Sequence, residues 1–164
     1  MELEILRNIQ SIANPFLDIL FQLITICGEQ MVLVLIISII YWVKDKKFGE
    51  YIAYAVLTSV LVNCVVKDIF KFKRPIGEEG IRTLREKTAT GYSFPSGHTQ
   101  GAGSFYGAMA IYIKKKVMYI IAIIMIILIG FSRLYLGVHY PKDVIVGGIL
   151  GVLISYICYN IYNK

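Results

Sequence analysis

Charge is scarce in this sequence: 17% of its 164 residues are Asp, Glu, Lys or Arg, against 57% apolar. Soluble domains average about a quarter charged, so the composition points away from a water-soluble fold and toward the bilayer as solvent. Cysteine is scarce too. Cys27, Cys64 and Cys158 sit apart in apolar stretches, an odd number with neither metal-ligand spacing nor the look of a disulfide framework. No cleavable leader is visible, because the opening MELEILRNIQ carries two glutamates and lacks a compact apolar core followed by a small-residue site. Insertion is expected to rely on the spans themselves. There is no internal repeat, no low-complexity tract and no carboxylate cluster suited to a magnesium ion. Histidine occurs only twice, at His98 and His139. The formal charge of +6 does not imply nucleic acid, since the basic residues punctuate apolar runs instead of forming one basic face. Anionic lipid is the expected attraction.

What the sequence does have is long Ile-, Leu- and Val-rich runs, over 31–43, 117–129 and 144–162. They lack the strict alternation of a membrane barrel, and backbone hydrogen bonds in lipid must be satisfied within the protein. The expectation is an all-α integral membrane bundle of about five transmembrane helices, near 30–43, 50–68, 96–113, 117–134 and 142–162. Ahead of it, Ile5, Ile9, Ile12, Phe16, Ile19 and Leu23 form an apolar stripe at helical spacing, interrupted by Asn14, Pro15 and Asp18. Residues 1–28 read as an amphipathic interfacial helix, a sixth crossing by 11–27 being the alternative, and 29–164 as the membrane domain.

Segment parity puts loops 44–49 and 114–116 and the C-terminus on one face, and residues 67–95 and 133–142 on the other. Counting Lys and Arg leaves the orientation open, because Lys44, Lys46, Lys47, Lys114, Lys115, Lys116 and Lys164 oppose a comparably basic set. The second face gathers three clusters. Lys67 and Arg74, seven residues apart with Lys71 between, would project from one side of a helix that Pro75 ends. They suit phosphate oxygens, or serve as snorkelling anchors at the membrane boundary. Pro95-Ser96-Gly97-His98 places proline at a helix start, with the amides of Ser96, Gly97 and His98 free for an anion and the His98 ring as a possible proton donor; otherwise it is an ordinary Pro-Ser start. In Ser132-Arg133, His139 and Asp143, an acid in the first turn after Pro141 can reach back to His139 and leave its other nitrogen free to attack phosphorus. Taken singly, Asp143 could be a helix cap and Arg133 an interfacial anchor.

Together these clusters, KDIFKFKRP (67–75), PSGH (95–98) and SRLYLGVHYPKD (132–143), resemble the tripartite signature of the type 2 phosphatidic acid phosphatase superfamily, without departure at a signature position. The resemblance covers residues 30–162. It implies a helical bundle with its site toward the non-cytoplasmic side of the cell membrane, and a phosphatase with no cofactor and no metal. By the same resemblance Lys67, Arg74 and Arg133, with Ser96 and the Gly97 amide, bind phosphate oxygens. His139 attacks to form a phosphohistidine, Asp143 assists it, and His98 protonates the leaving oxygen. The expected partner is a lipid phosphate or pyrophosphate: undecaprenyl pyrophosphate first, then phosphatidylglycerophosphate, phosphatidic acid or a sphingoid-base phosphate. Arg82, Arg85 and Lys87 either contact a second phosphate or head group, or belong to a solvated loop balanced by Glu78, Glu79 and Glu86. The rivals are vanadate haloperoxidases, which share the signature but are soluble, and a non-catalytic lipid-phosphate binding or transport protein.

Overall fold

The computed structural model describes residues 1–162, and Lys164, counted above among the cations of one face, lies outside them. Outside a long loop over 71–96, which holds one short 3-10 turn at Glu86–Thr88, and a few turns, the described chain is helical, with no strand. Its helices are α1 (Glu2–Gln10), α2 (Pro15–Ile26), α3 (Gln30–Ile39, running on through a π turn over Ile40–Lys44), α4 (Lys46–Phe70), α5 (Gly97–Ile113), α6 (Lys116–Tyr135) and α7 (Pro141–Tyr162). Helices α3 to α7 fall where the apolar runs predict. By length and composition α4, α6 and α7 each suffice to cross a membrane, while α5 has 17 residues and α3 is a shorter apolar helix.

The N-terminal segment differs from expectation. The single interfacial helix over 1–28 is two helices, α1 and α2, bent by 119°. The break is local chemistry: Asn14 is extended, its side-chain oxygen accepts from the amide of Leu17 at 3.0 Å, and Pro15 starts the next helix. The apolar stripe is therefore shared between two differently directed elements.

The bundle is built around α5. Its residues Gly103, Ser104 and Gly107 face α7, whose Gly147, Gly148, Gly151 and Ser155 lie against α5 in turn. The backbones approach so closely that a Cβ on Gly103 would lie 2.7 Å from the carbonyl of Gly148, and one on Gly151 2.7 Å from the amide of Ser104. Small residues at a helix contact permit this packing where lipid gives no hydrophobic drive for helices to associate. Buried polar groups find partners where α4 packs on α5 and α7. Gln100 donates to the carbonyl of Ser59 at 2.8 Å, Asn63 to Gln100 at 2.8 Å, and Tyr51 to the carbonyl of Ser155 at 2.9 Å. Helix α6, by contrast, turns Ile120, Ile121, Ile123, Ile124 and Ile127 outward.

Candidate active site

All eight residues singled out from the sequence gather at one end of the bundle, where α4 ends, α5 begins and α6 turns into α7. His139 lies in that last turn and is 1% exposed. Its Nδ1 is 3.4 Å from Oδ2 of Asp143, four residues on in the first turn of α7. The same oxygen accepts from the amide of Tyr140 at 2.9 Å and from the hydroxyl of Ser93. On the opposite side of the ring, Nε2 is 2.9 Å from NH1 of Arg74. With its proton on Nδ1, facing the carboxylate, the ring keeps a lone pair at Nε2, where Arg74 donates. Burial, and then the charges of Arg74, Arg133 and Lys67, hold the His139 pKa well below the ordinary 6.5, against a hydrogen bond to the Ser93 backbone. The ring is therefore neutral at physiological pH, as a nucleophile must be.

The cations reach this point by routes the sequence did not reveal. Lys67 and Arg74 were expected on one side of a continuous helix ended by Pro75, but α4 stops at Phe70, and Lys71 closes it in the left-handed conformation at φ 51°. Arg74 comes from the loop beyond. Carbonyls of the 90–93 segment hold it, Nε donating to Gly91 at 3.0 Å and NH2 to Thr90 at 2.8 Å, while NH1 also donates to Val138 at 3.0 Å. Lys67 extends from the last turn of α4 to the carbonyls of Tyr92 and, at 3.3 Å, Ser93. Arg133 is fully buried at the end of α6, with NH1 donating to the Thr25 hydroxyl at 2.9 Å and both Nε and NH2 lacking any hydrogen-bond partner.

The start of α5 also differs in detail. Pro95 was expected at the first helical position, but the helix begins at Gly97 and Ser96 is the cap. The Ser96 amide is not free, because it donates to the backbone carbonyl of Asp143 at 2.9 Å, while its hydroxyl pairs with that of Thr99 at 3.0 Å. The amides left for an anion are those of Gly97 and His98, in the first turn of the helix. Nε2 of His98 is buried with no hydrogen-bond partner, and the ring lies within electrostatic reach of Arg133, His139 and Arg74.

Two contributors escaped the sequence reading. Ser93 carries no spacing signal; only the fold brings its hydroxyl to Asp143. Thr25, fully buried in α2, anchors Arg133, and a polar residue within an apolar helix was the one mark it left. Among the described residues no group of three or more His, Cys, Asp or Glu side chains is placed to hold a metal ion. The chemistry on offer is an imidazole whose Nε2 lone pair is covered only by Arg74, an acidic partner behind it, a second imidazole, and three cations whose donors outnumber their protein acceptors. That combination suits transfer of a phosphoryl group, whose charged equatorial oxygens need fixed donors.

Comparison with known proteins agrees. The PAP2 superfamily model matches residues 49–164. The chain is 33% identical over 119 residues to undecaprenyl-diphosphatase of Sulfolobus acidocaldarius, an alignment covering 72% of this chain and 57% of that protein. The crystal structure of Aquifex aeolicus LpxE is similar with a TM-score of 0.85 and 27% identity, covering 97% of this chain and 94% of that one. For the first transmembrane PAP2-type phosphatidylglycerolphosphate phosphatase from Bacillus subtilis the TM-score is 0.83 and the identity 29%, covering 98% and 84%. The chain thus spans little more than half the length of the Sulfolobus relative but nearly all of the Aquifex fold. Its apolar helices and these neighbours make it a multi-pass membrane protein. With the signature residues assembled at one end of a matching helical fold, the chain belongs to the PAP2 superfamily and carries a phosphatase domain of that family.

Proposed function

We propose that this chain hydrolyses a lipid-linked phosphate or diphosphate through a phosphohistidine on His139, without a metal ion, and that undecaprenyl diphosphate is the first candidate substrate. Phosphatidylglycerophosphate, phosphatidic acid and sphingoid-base phosphates follow. The observation that carries the reading is the His139 ring itself, buried and neutral, with Asp143 and Ser93 behind Nδ1 and a guanidinium at Nε2.

Phosphate oxygens compete with the carbonyls of Thr90, Gly91 and Tyr92 for Arg74 and Lys67, and as the stronger acceptors they draw both cations onto the substrate. Removal of Arg74 from Nε2 exposes the lone pair. Nε2 then attacks phosphorus, the positive charge that develops on the ring is balanced by Asp143, and Arg133 and the first amides of α5 hold the equatorial oxygens. His98 delivers a proton to the leaving oxygen, and water cleaves the phosphohistidine to release phosphate and restore the ring. A substrate whose tail stays in the bilayer suits a centre built at the end of membrane helices. Lys44, Lys46, Lys47, Lys114, Lys115 and Lys116 lie at the opposite ends of those helices, and since the site face is comparably basic, the non-cytoplasmic placement of the site rests on the family resemblance. The name of the Sulfolobus relative supports the choice of substrate.

The test is phosphate release by the purified protein, in EDTA, from a panel of lipid monophosphates and diphosphates. Rapid acid- and base-quench trapping then identifies the intermediate. Wild type is expected to accumulate base-stable, acid-labile phosphate on the protein, and His139→Ala to lose both label and turnover while keeping its thermal melt. Turnover by His139→Ala at the wild-type rate would remove the assignment. Lipid binding with no phosphate release by wild type would make the protein a carrier.

A further inference from the structure

The corner between α2 and α3, residues Thr25 to Glu29, touches the site at Arg133 and at the start of α5. Gly28 lies against α5 so closely that a Cβ there would stand 3.3 Å from the carbonyl of His98 and 2.7 Å from the side chain of Ile129. Thr25 in the same corner holds Arg133 at 2.9 Å. Glu29, which caps α3, holds Arg85 through NH2, and the carbonyl of Gln22 accepts from Arg85 NH1 at 3.4 Å. One corner therefore fixes Arg85, Arg133 and the backbone of His98 in a single neighbourhood.

Three residues there carry buried nitrogens without a partner: Nε of Arg85, Nε and NH2 of Arg133, and Nε2 of His98. Arg85 is held in a left-handed conformation at φ 59°, which a residue with a side chain adopts only when its surroundings impose it. The other basic residues of the loop are not placed this way. Arg82 is committed to Asp18 by two hydrogen bonds of 2.8 and 2.6 Å, and Lys87 is exposed.

We infer that Arg85 binds the second phosphate of a lipid diphosphate, on the leaving-group side of the centre, and so makes the enzyme prefer diphosphate over monophosphate substrates. The inference rests on the reading of His139 as nucleophile and His98 as acid. Nε2 of His139 bonds to the terminal phosphorus, the bridging P–O bond breaks, and its electron pair departs with the lipid-linked phosphate, which takes the proton of His98. The departing group is then itself a phosphate, beside His98, where Arg85 supplies a fixed charge. A monophosphate releases an alcohol at the same place and gains little from a guanidinium there. Arg85 is half-buried and its NH2 pairs with Glu29, which holds the guanidinium in place while its Nε keeps a donor free for the second phosphate.

The experiment compares wild type, Arg85→Gln and Arg82→Gln with two substrates sharing one polyprenyl tail, a diphosphate and a monophosphate. A second arm, independent of turnover, measures binding of methylenediphosphonate and of inorganic phosphate by calorimetry in detergent. Arg85→Gln should lower kcat/KM for the diphosphate at least tenfold and for the monophosphate less than threefold, and weaken methylenediphosphonate at least tenfold more than phosphate. Arg82→Gln, which loosens the loop without touching this neighbourhood, should shift both substrates alike. Equal losses on both substrates in Arg85→Gln, or the same selective loss in Arg82→Gln, overturns the assignment. If wild type hydrolyses neither lipid, the phosphatase reading fails, and the binding arm alone decides Arg85: methylenediphosphonate held equally by wild type and Arg85→Gln refutes it.

Discussion

Helices α5 and α6 are neighbours, and the less apolar of the two is the more buried. Helix α5 is rich in Gly, Ala, Ser and Thr, and ten of its 17 residues are buried. Helix α6 is a run of isoleucines, most of them facing outward. In water the order would be reversed, because apolar area seeks the interior. In lipid the surroundings are already apolar, so close backbone contact and polar complementarity decide what goes inside. The two helices meet the site in keeping with this: α5 brings a cap, a glycine and His98 at its start, whereas α6 brings one buried cation, Arg133, at its end.

The contrast breaks first at the α5–α7 contact. Gly151→Leu puts side-chain atoms where the amide of Ser104 and the carbonyl of Gln100 already stand. It should cost about 3 kcal/mol or more, seen as a large fall in the detergent melting temperature, whereas a wild-type melt would show that the two backbones have room to part. Next in size is the exception on α6. Arg133→Lys keeps the charge but loses the fork and the bond to Thr25, and should lower kcat/KM about 100-fold, the scale of losing one transition-state donor. Retained activity would make Arg133 a structural cation of the bundle, held by Thr25 and without a part in phosphate binding. Ser93→Ala should cost about tenfold in kcat by freeing the Asp143 carboxylate from its short hydroxyl contact, and an unchanged rate would leave Tyr140 and His139 as sufficient partners.

A smaller effect concerns pH. The fold keeps His139 neutral below its ordinary 6.5, so the acid limb of kcat/KM should lie below pH 6.5, and Arg74→Gln, which removes the nearest positive charge, should move it upward. Stability follows the same sign. Between 6.5 and the lower folded value only the unfolded chain takes up this proton, so the melting temperature should decline as pH falls through that window. The smallest effect belongs to the outward face of α6. Ile124→Leu should change stability by less than about 0.5 kcal/mol, and a larger loss would mean that this face is packed against protein.

Much of the architecture was legible in the sequence because hydrophobic runs of span length are a local property. The ranges of α3 to α7 follow the apolar stretches to within a few residues, and the site's histidines, Arg133 and Asp143 lie where their spacing implied. The N-terminal helix was read wrongly as one piece although Asn14 and Pro15 stood in plain view; α1 stops at Gln10, cap and proline begin α2, and the apolar stripe is divided between the two. Arg74 was placed on the wrong element for a different reason. Helix α4 ends in a left-handed Lys71, a conformation no residue type in the segment announces.

The sequence by itself determined that the chain lives in lipid, that its helices alternate with more polar connections, and which imidazoles and cations meet at one end, since these depend on residue type and on spacing within single segments. Only the tertiary structure decided that Ser93 serves Asp143, that the 90–93 carbonyls hold Arg74 and Lys67, and that the corner at Thr25 to Glu29 joins Arg85 and Arg133 to His98. Those contacts link residues up to 108 positions apart. The physical reason is that a hydrogen bond over such a separation leaves no periodicity behind: its partners are selected by where the packed helices bring the loops, and that follows from all of the helix contacts at once.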